Sequence, residues 1–143
     1  METKVTHNPA SLPALVLAYL GDAVYELYVR KFLIAQGYTR VNELHKQAVK
    51  FVNAETQANV LHAISDALSE EESAVVRRGR NAKSGSAPKN ISMTHYRHGT
   101  GFETLIGYLY LSDREDRIDD IFDTACNVVT SKGEGDDNEG KTY

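Results

Sequence analysis

There is one cysteine, Cys126, so no disulfide can form within the chain. That excludes an extracellular disulfide scaffold and makes a reducing cytoplasm the expected setting. There is no long uninterrupted apolar run, so a membrane span is not expected. Met1-Glu2-Thr3-Lys4 is not followed by an apolar stretch, and no signal peptide is expected. No segment alternates apolar and polar residues with the period of a strand, and there is no internal repeat. Phosphate-loop, glycine-rich dinucleotide and Gly-x-Ser-x-Gly motifs are all missing. His7, His45, His62, His95 and His98 make no zinc pattern, because there is no second cysteine and no His-Glu-x-x-His.

What remains is a chain of 143 residues, 41% hydrophobic and 25% charged, with net charge −4. These values predict one globular domain with a sizeable core. The periodicity predicts an all-α fold. Ser11 is the expected N-cap of a first helix running to about Gln36, with Gly37 at its C′ position. Val41 to Ser65 carries Leu44, Ala48, Phe51, Val52, Ala58 and Leu61 at helical spacing, with a break predicted at Asn53-Ala54-Glu55. Ser69, followed by three glutamates, caps a short helix expected to stop at Gly79. Arg80 to Asn90 reads as an exposed loop, and His95 or Thr100 leads into a helix through Leu111. Asp113 to Thr130 is a last amphipathic helix, and residues 132–143 read as a disordered acidic tail after a domain spanning 1–131.

Two stretches stand apart. Leu17 to Glu26 reads as a helix apolar nearly all round, which normally means a buried helix. Yet Asp22 sits in its middle. Leu17, Leu20, Val24 and Leu27 form one stripe at about 100° per residue. Leu15, Ala18 and Val29 share the face of Asp22, which is therefore expected to be buried or half-buried. Gly21 costs a helix about 1 kcal/mol relative to alanine and marks a close approach of another backbone. Gly99 to Leu109 repeats the pattern, with Glu103 inside an apolar helix and Gly107 one turn later on its side. Two glycine-bearing helices could approach and present Asp22 to Glu103. Facing carboxylates repel unless one is protonated or a cation lies between them. Oxygen ligands suit Mg²⁺, with Mn²⁺ an alternative. The competing reading has both acids satisfied by tyrosine hydroxyls and backbone N–H groups, and spacing alone leaves that reading ahead.

Charge is segregated as well. Arg77, Arg78, Arg80, Lys83, Lys89 and Arg97 share a segment without Asp or Glu, while acids collect after Ser112. Such a segment suits a phosphate backbone. A solvated basic loop is an equally good account of it. His95 and His98, beside Arg97, fit RNA contact or local capping better than metal ligation.

Leu20-Gly21-Asp22-Ala23-Val24 and Gly101-Phe102-Glu103-Thr104-Leu105-Ile106-Gly107 resemble the signature and the second catalytic motif of the ribonuclease III family. Tyr19 to Glu26 and Tyr96 to Glu103 most resemble its small bacterial branch, Mini-ribonuclease III, which lacks a double-stranded-RNA-binding domain. The resemblance spans roughly residues 10–130. It implies a ribonuclease III-like helical domain, a homodimer, Mg²⁺-dependent cleavage of double-stranded RNA, and maturation of 23S ribosomal RNA. Asp22 and Glu103 are its matched catalytic and metal-binding acids. Further acids of full-length ribonuclease III fall on Leu15, Ala18 and Thr100 here, so more of any coordination shell would be water or RNA phosphate. Glu43 is a candidate for another family acid, and the role of Glu26 is open. The contacts expected with RNA are Arg77, Arg78, Arg80, Lys83, Lys89, Arg97 and His98. Two alternatives of other classes are a non-catalytic RNA-binding or ribosome-associated module on the same fold and a purely structural helical dimer. The first of these could lose Asp22 and Glu103, and this chain keeps both.

Overall fold

A computed structural model describes residues 3–5, 7–82 and 87–140, with side chains up to residue 133. Among the described residues six α-helices run in order: α1 (Ala14–Ala35), α2 (Val41–Val52), α3 (Ala54–Ile64), α4 (Glu70–Asn81), α5 (Met93–Leu111) and α6 (Glu115–Gly140). There is no strand among the described residues. The fold is all-α, as the periodicity predicts. No helix among them is long and apolar enough to cross a membrane.

Local chemistry fixes most of the boundaries. Ser11 does not cap α1. It lies in a 3-10 turn (Pro9–Ser11) whose cap is Asn8, and Pro13 precedes α1 directly. At the other end Gly37 has φ 101°, and the N–H groups of Gly37 and Tyr38 donate back to the carbonyls of Ile34 and Leu33. That pair of bonds is a Schellman closure, which needs the left-handed conformation glycine adopts without strain. Asn53 ends α2 and starts α3, donating to the Val49 carbonyl at 2.8 Å and accepting from the Thr56 N–H at 2.8 Å. Ser69 and Glu72 form a reciprocal capping box at the start of α4. Ser92, not His95 or Thr100, caps α5, so that helix starts earlier than predicted. The expected tail lies on α6: the backbone stays helical to Gly140, while residues 141–143 and the side chains from 134 lie outside the described residues.

α1, α3, α4 and α6 pack around α5, while α2 packs on α1, α3 and α6. Phe102, Thr104, Leu105, Ile106 and Leu109 are buried along α5. Its neighbours come close because small residues face it. A Cβ on Gly21 would run into the Glu103 carbonyl, and one on Gly107 into the Leu17 carbonyl. α1 and α5 therefore touch backbone to backbone. Gly79 does not stop α4, as the sequence reading expects. It is buried inside that helix, where a Cβ would lie 2.8 Å from Thr104 Cβ and 2.9 Å from Gly101 Cα. Close packing, and not a turn, is the reason for a glycine there.

An aromatic cluster lies inside an otherwise aliphatic core. Tyr25 meets Phe102 edge to face at 4.9 Å between ring centres, and Phe122 packs on Tyr25, Phe32 and Phe51. The Tyr25 hydroxyl donates to the Phe51 carbonyl at 2.9 Å, so its burial leaves no orphaned donor. Arg117 of α6 donates to Glu72 of α4 at 2.9 Å. Burial alone would raise the Glu72 carboxyl pKa, but hydrogen bonds from Arg117 and Ser69 outweigh it and hold the carboxyl below its ordinary range.

Candidate active site

The α1–α5 contact sets the site. Gly21 lies on the backbone of Glu103, so the next residue on α1, Asp22, is carried to the rim of the groove between the helices. From there its carboxyl group reaches that of Glu103, within hydrogen-bonding range when one of them holds a proton. Asp22 is exposed, not buried. The buried face of α1 is formed by Leu17, Ala18, Gly21, Val24, Tyr25, Val29 and Leu33, while Leu15 and Leu27 point outward. The expected burial of the Asp22 face thus applies to its neighbours Ala18 and Val29 and not to the acid itself.

Glu103 is half-buried. Its pKa is raised from 4.5 to about 9, first by burial, then by the facing Asp22 carboxyl, against a smaller opposing pull from Gln57. In the metal-free protein Glu103 therefore holds its proton at neutral pH. A divalent cation at the pair would remove the penalty for ionising it. The donors are all oxygen, which is the donor class hard cations such as Mg²⁺ take. No cluster of three or more His, Cys, Asp or Glu suited to a metal occurs among the described residues. The site thus fits a cation only with the remaining ligands drawn from solvent or a phosphate-bearing substrate.

Gln57 is a site residue that the sequence reading does not single out. It is 4% exposed and faces the Glu103 carboxyl, whose pKa it pulls downward against the larger effects of burial and Asp22. Its Oε1 lies 2.9 Å from where a Cβ on Gly99 would stand, so that glycine makes its room. The available signal was a polar residue one turn before Leu61 on the apolar stripe of α3. A cavity of about 450 Å³ opens beside Glu103, walled by Asn53, Gln57, His95, Tyr96 and Thr100.

The other expected residues divide. Arg77, Arg80 and His98 line one cleft beside α5. Arg97 and Lys89 are exposed, and Lys83 lies outside the described residues. Arg78 turns instead to the N-terminal segment, donating to the carbonyls of Ala10 and Leu12 at 2.5 Å each. Glu26 pairs with Arg30 at 2.8 Å, and Glu43 stands exposed in the first turn of α2.

The ribonuclease III domain matches residues 15–114, which include both acids. A protein of Brevibacillus brevis named Mini-ribonuclease 3 is 52% identical over 126 residues, 88% of this chain and 94% of that protein. A Mini-ribonuclease 3 of Symbiobacterium thermophilum is 49% identical over 122 residues, 85% of this chain and 94% of its own. Among solved structures, a Fusobacterium nucleatum protein superposes with a TM-score of 0.74 at 32% identity, covering 87% of this chain and 95% of that one.

Proposed function

This chain belongs to the ribonuclease III family, in its Mini-ribonuclease 3 group, and on that premise we propose a Mg²⁺-dependent endoribonuclease acting on double-stranded RNA. Its expected use is maturation of the 23S ribosomal RNA precursor in the cytoplasm. The observation that carries the proposal is the facing pair Asp22–Glu103, with Glu103 pushed to about 9 beside an open cavity.

Asp22 and Glu103 would hold the ion, with Mn²⁺ as a substitute. When bound, the ion supplies positive charge for the phosphodiester oxygens and lowers the pKa of water. Glu103 gives up its proton on loading. Gln57 faces the Glu103 carboxyl and favours its charged form. Arg77, Arg80, Lys89 and Arg97 bind phosphates along the duplex, reading its shape more than its bases, since the deep A-form groove hides base edges.

A homodimer completes the proposal. α1 exposes Val16, Tyr19, Leu27 and Ile34 along one side, with Tyr19 85% and Leu27 65% exposed. A partner's identical stripe would cover them in an isologous contact. Two acidic pairs related by a two-fold axis would then face the two strands of one duplex.

The test is cleavage of a blunt RNA duplex by the full chain. Both strands are expected to be cut with Mg²⁺ and neither after chelation. Cleavage unaffected by chelation, or confined to single strands, would overturn the proposal.

A further inference from the structure

Two cavities of about 450 Å³ each flank the N-terminal half of α5, and His95 lines both. Their chemistry is opposite. The first, beside Glu103, includes Glu55 and has no lysine or arginine. The second lies between α3, α4 and α5 and presents Arg77, Arg80, His62, His95 and His98 with no carboxylate at all.

The floor of that second cleft is apolar, made by Ala58, Leu61, Leu68 and Val76. Among the described residues neither Arg77 nor Arg80 has an ion-pair partner. Arg78, Arg114 and Arg117, by contrast, are all engaged. His98 Nδ1 lies 2.8 Å from the Thr94 carbonyl oxygen, which can only accept. Nδ1 therefore carries the proton, the ring is fixed, and Nε2 is left for a ligand. Ser65, Ser73 and Thr94 add hydroxyls at the wall.

We propose that this cleft is a nucleoside-phosphate site. The phosphate sits against Arg77 and Arg80, whose planar forks suit it. The base lies against the half-buried Leu68, above the core residues Leu61 and Val76, an apolar wall for which a bare anion has no use. The volume falls within the range of about 300–1,000 Å³ typical of small-molecule pockets. The nucleotide is either free in solution or an unpaired nucleotide of a bound RNA. Only the second source rests on the RNA-cleaving function proposed above. His95, shared by both cavities, would then join the nucleotide site to the acidic pair.

The experiment uses the full chain without metal, titrated with adenosine 5′-monophosphate and separately with inorganic phosphate. The imidazole signals of His62, His95 and His98 are followed by NMR, and affinity by calorimetry. Saturable shifts of these signals with the nucleotide, and much weaker binding of phosphate, are expected. Ser73→Glu would put a carboxylate against the cations and weaken the nucleotide by about tenfold or more, while Ser73→Ala changes it little. A second arm compares a blunt duplex with the same duplex carrying one bulged nucleotide. If RNA supplies the nucleotide, the bulge tightens binding, and Ser73→Glu, which also weakens the blunt duplex through Arg77 and Arg80, removes the extra gain from the bulge. No saturable shift together with no gain from the bulge would overturn the proposal, as would phosphate binding as tightly as the nucleotide. Failure of the wild-type chain to cut a blunt duplex with Mg²⁺ would overturn the cleavage reading and leave the nucleotide titration standing.

Discussion

Gly21 of α1 and Gly107 of α5 hold their helices backbone to backbone, with no space at either for a Cβ. The contact carries Asp22 to Glu103. Gly21→Ala and Gly107→Ala would each gain about 1 kcal/mol of helix propensity. Each would also drive a methyl into a backbone carbonyl that cannot swing aside, and overpacking of that kind costs about 1–3 kcal/mol or more. Both variants are expected to lower the urea midpoint and the cleavage rate. Gly133→Ala, where a Cβ would meet nothing within 4 Å, serves as the control and should leave the midpoint equal or higher.

The raised Glu103 carboxyl makes the metal-free fold pH-sensitive in a stated direction. Between 4.5 and about 9 the folded protein keeps this proton and the unfolded chain has released it. Stability of the metal-free protein should therefore fall as pH rises through that window. Thermal unfolding from pH 5 to 8.5 with chelator should show the fall, and Glu103→Gln should flatten it. Added Mg²⁺ should restore the upper end. A wild-type profile no steeper than that of Glu103→Gln would place the Glu103 carboxyl in the ordinary range.

Arg77 and Arg78 are sequence neighbours with different expected consequences. Arg77→Ala and Arg80→Ala should each reduce the log–log salt slope of duplex binding by about 0.7–0.9 for every phosphate the missing guanidinium would have neutralised. Arg78→Ala should leave the slope nearly unchanged and loosen the segment at Ala10 and Leu12 instead. Filter binding across salt concentrations, paired with thermal melts, separates the two effects.

Helix number and type were legible in the sequence, because caps and apolar spacing are local. Asn53 and Ser69 act where they were read, and Gly37 closes α1 as expected. Features set by tertiary contact were not. Gly79 looks like a stop because a glycine near a basic helix end usually is one. Only the Thr104 side chain across from it shows the other reason. The apolar neighbours of Asp22 predict a buried or half-buried face, but those neighbours split between the core and an exposed stripe. Its pairing with Glu103 follows from the glycines on both helices, which the sequence did display. Gln57 reached the site unnoticed, since a single amide on an apolar stripe carries no spacing signature. The exposed stripe itself only becomes visible once the core side of α1 is known.

That stripe gives a direct expectation. Tyr19→Asp and Leu27→Asp would put charge into the proposed dimer contact while leaving the protomer core untouched. Light scattering should show a wild-type dimer and a monomeric double variant with unchanged circular dichroism. A wild-type monomer that cuts both strands at full rate would rule the dimer out.

The central claim is that Asp22 and Glu103 together form the catalytic centre. Asp22→Asn and Glu103→Gln keep shape and remove the charge that would hold Mg²⁺. Single-turnover cleavage of a blunt RNA duplex in saturating Mg²⁺ should fall by about 10³-fold or more in each, roughly 4 kcal/mol in the barrier, with circular dichroism and duplex affinity retained. Near-normal cleavage by either variant would contradict the claim for that residue.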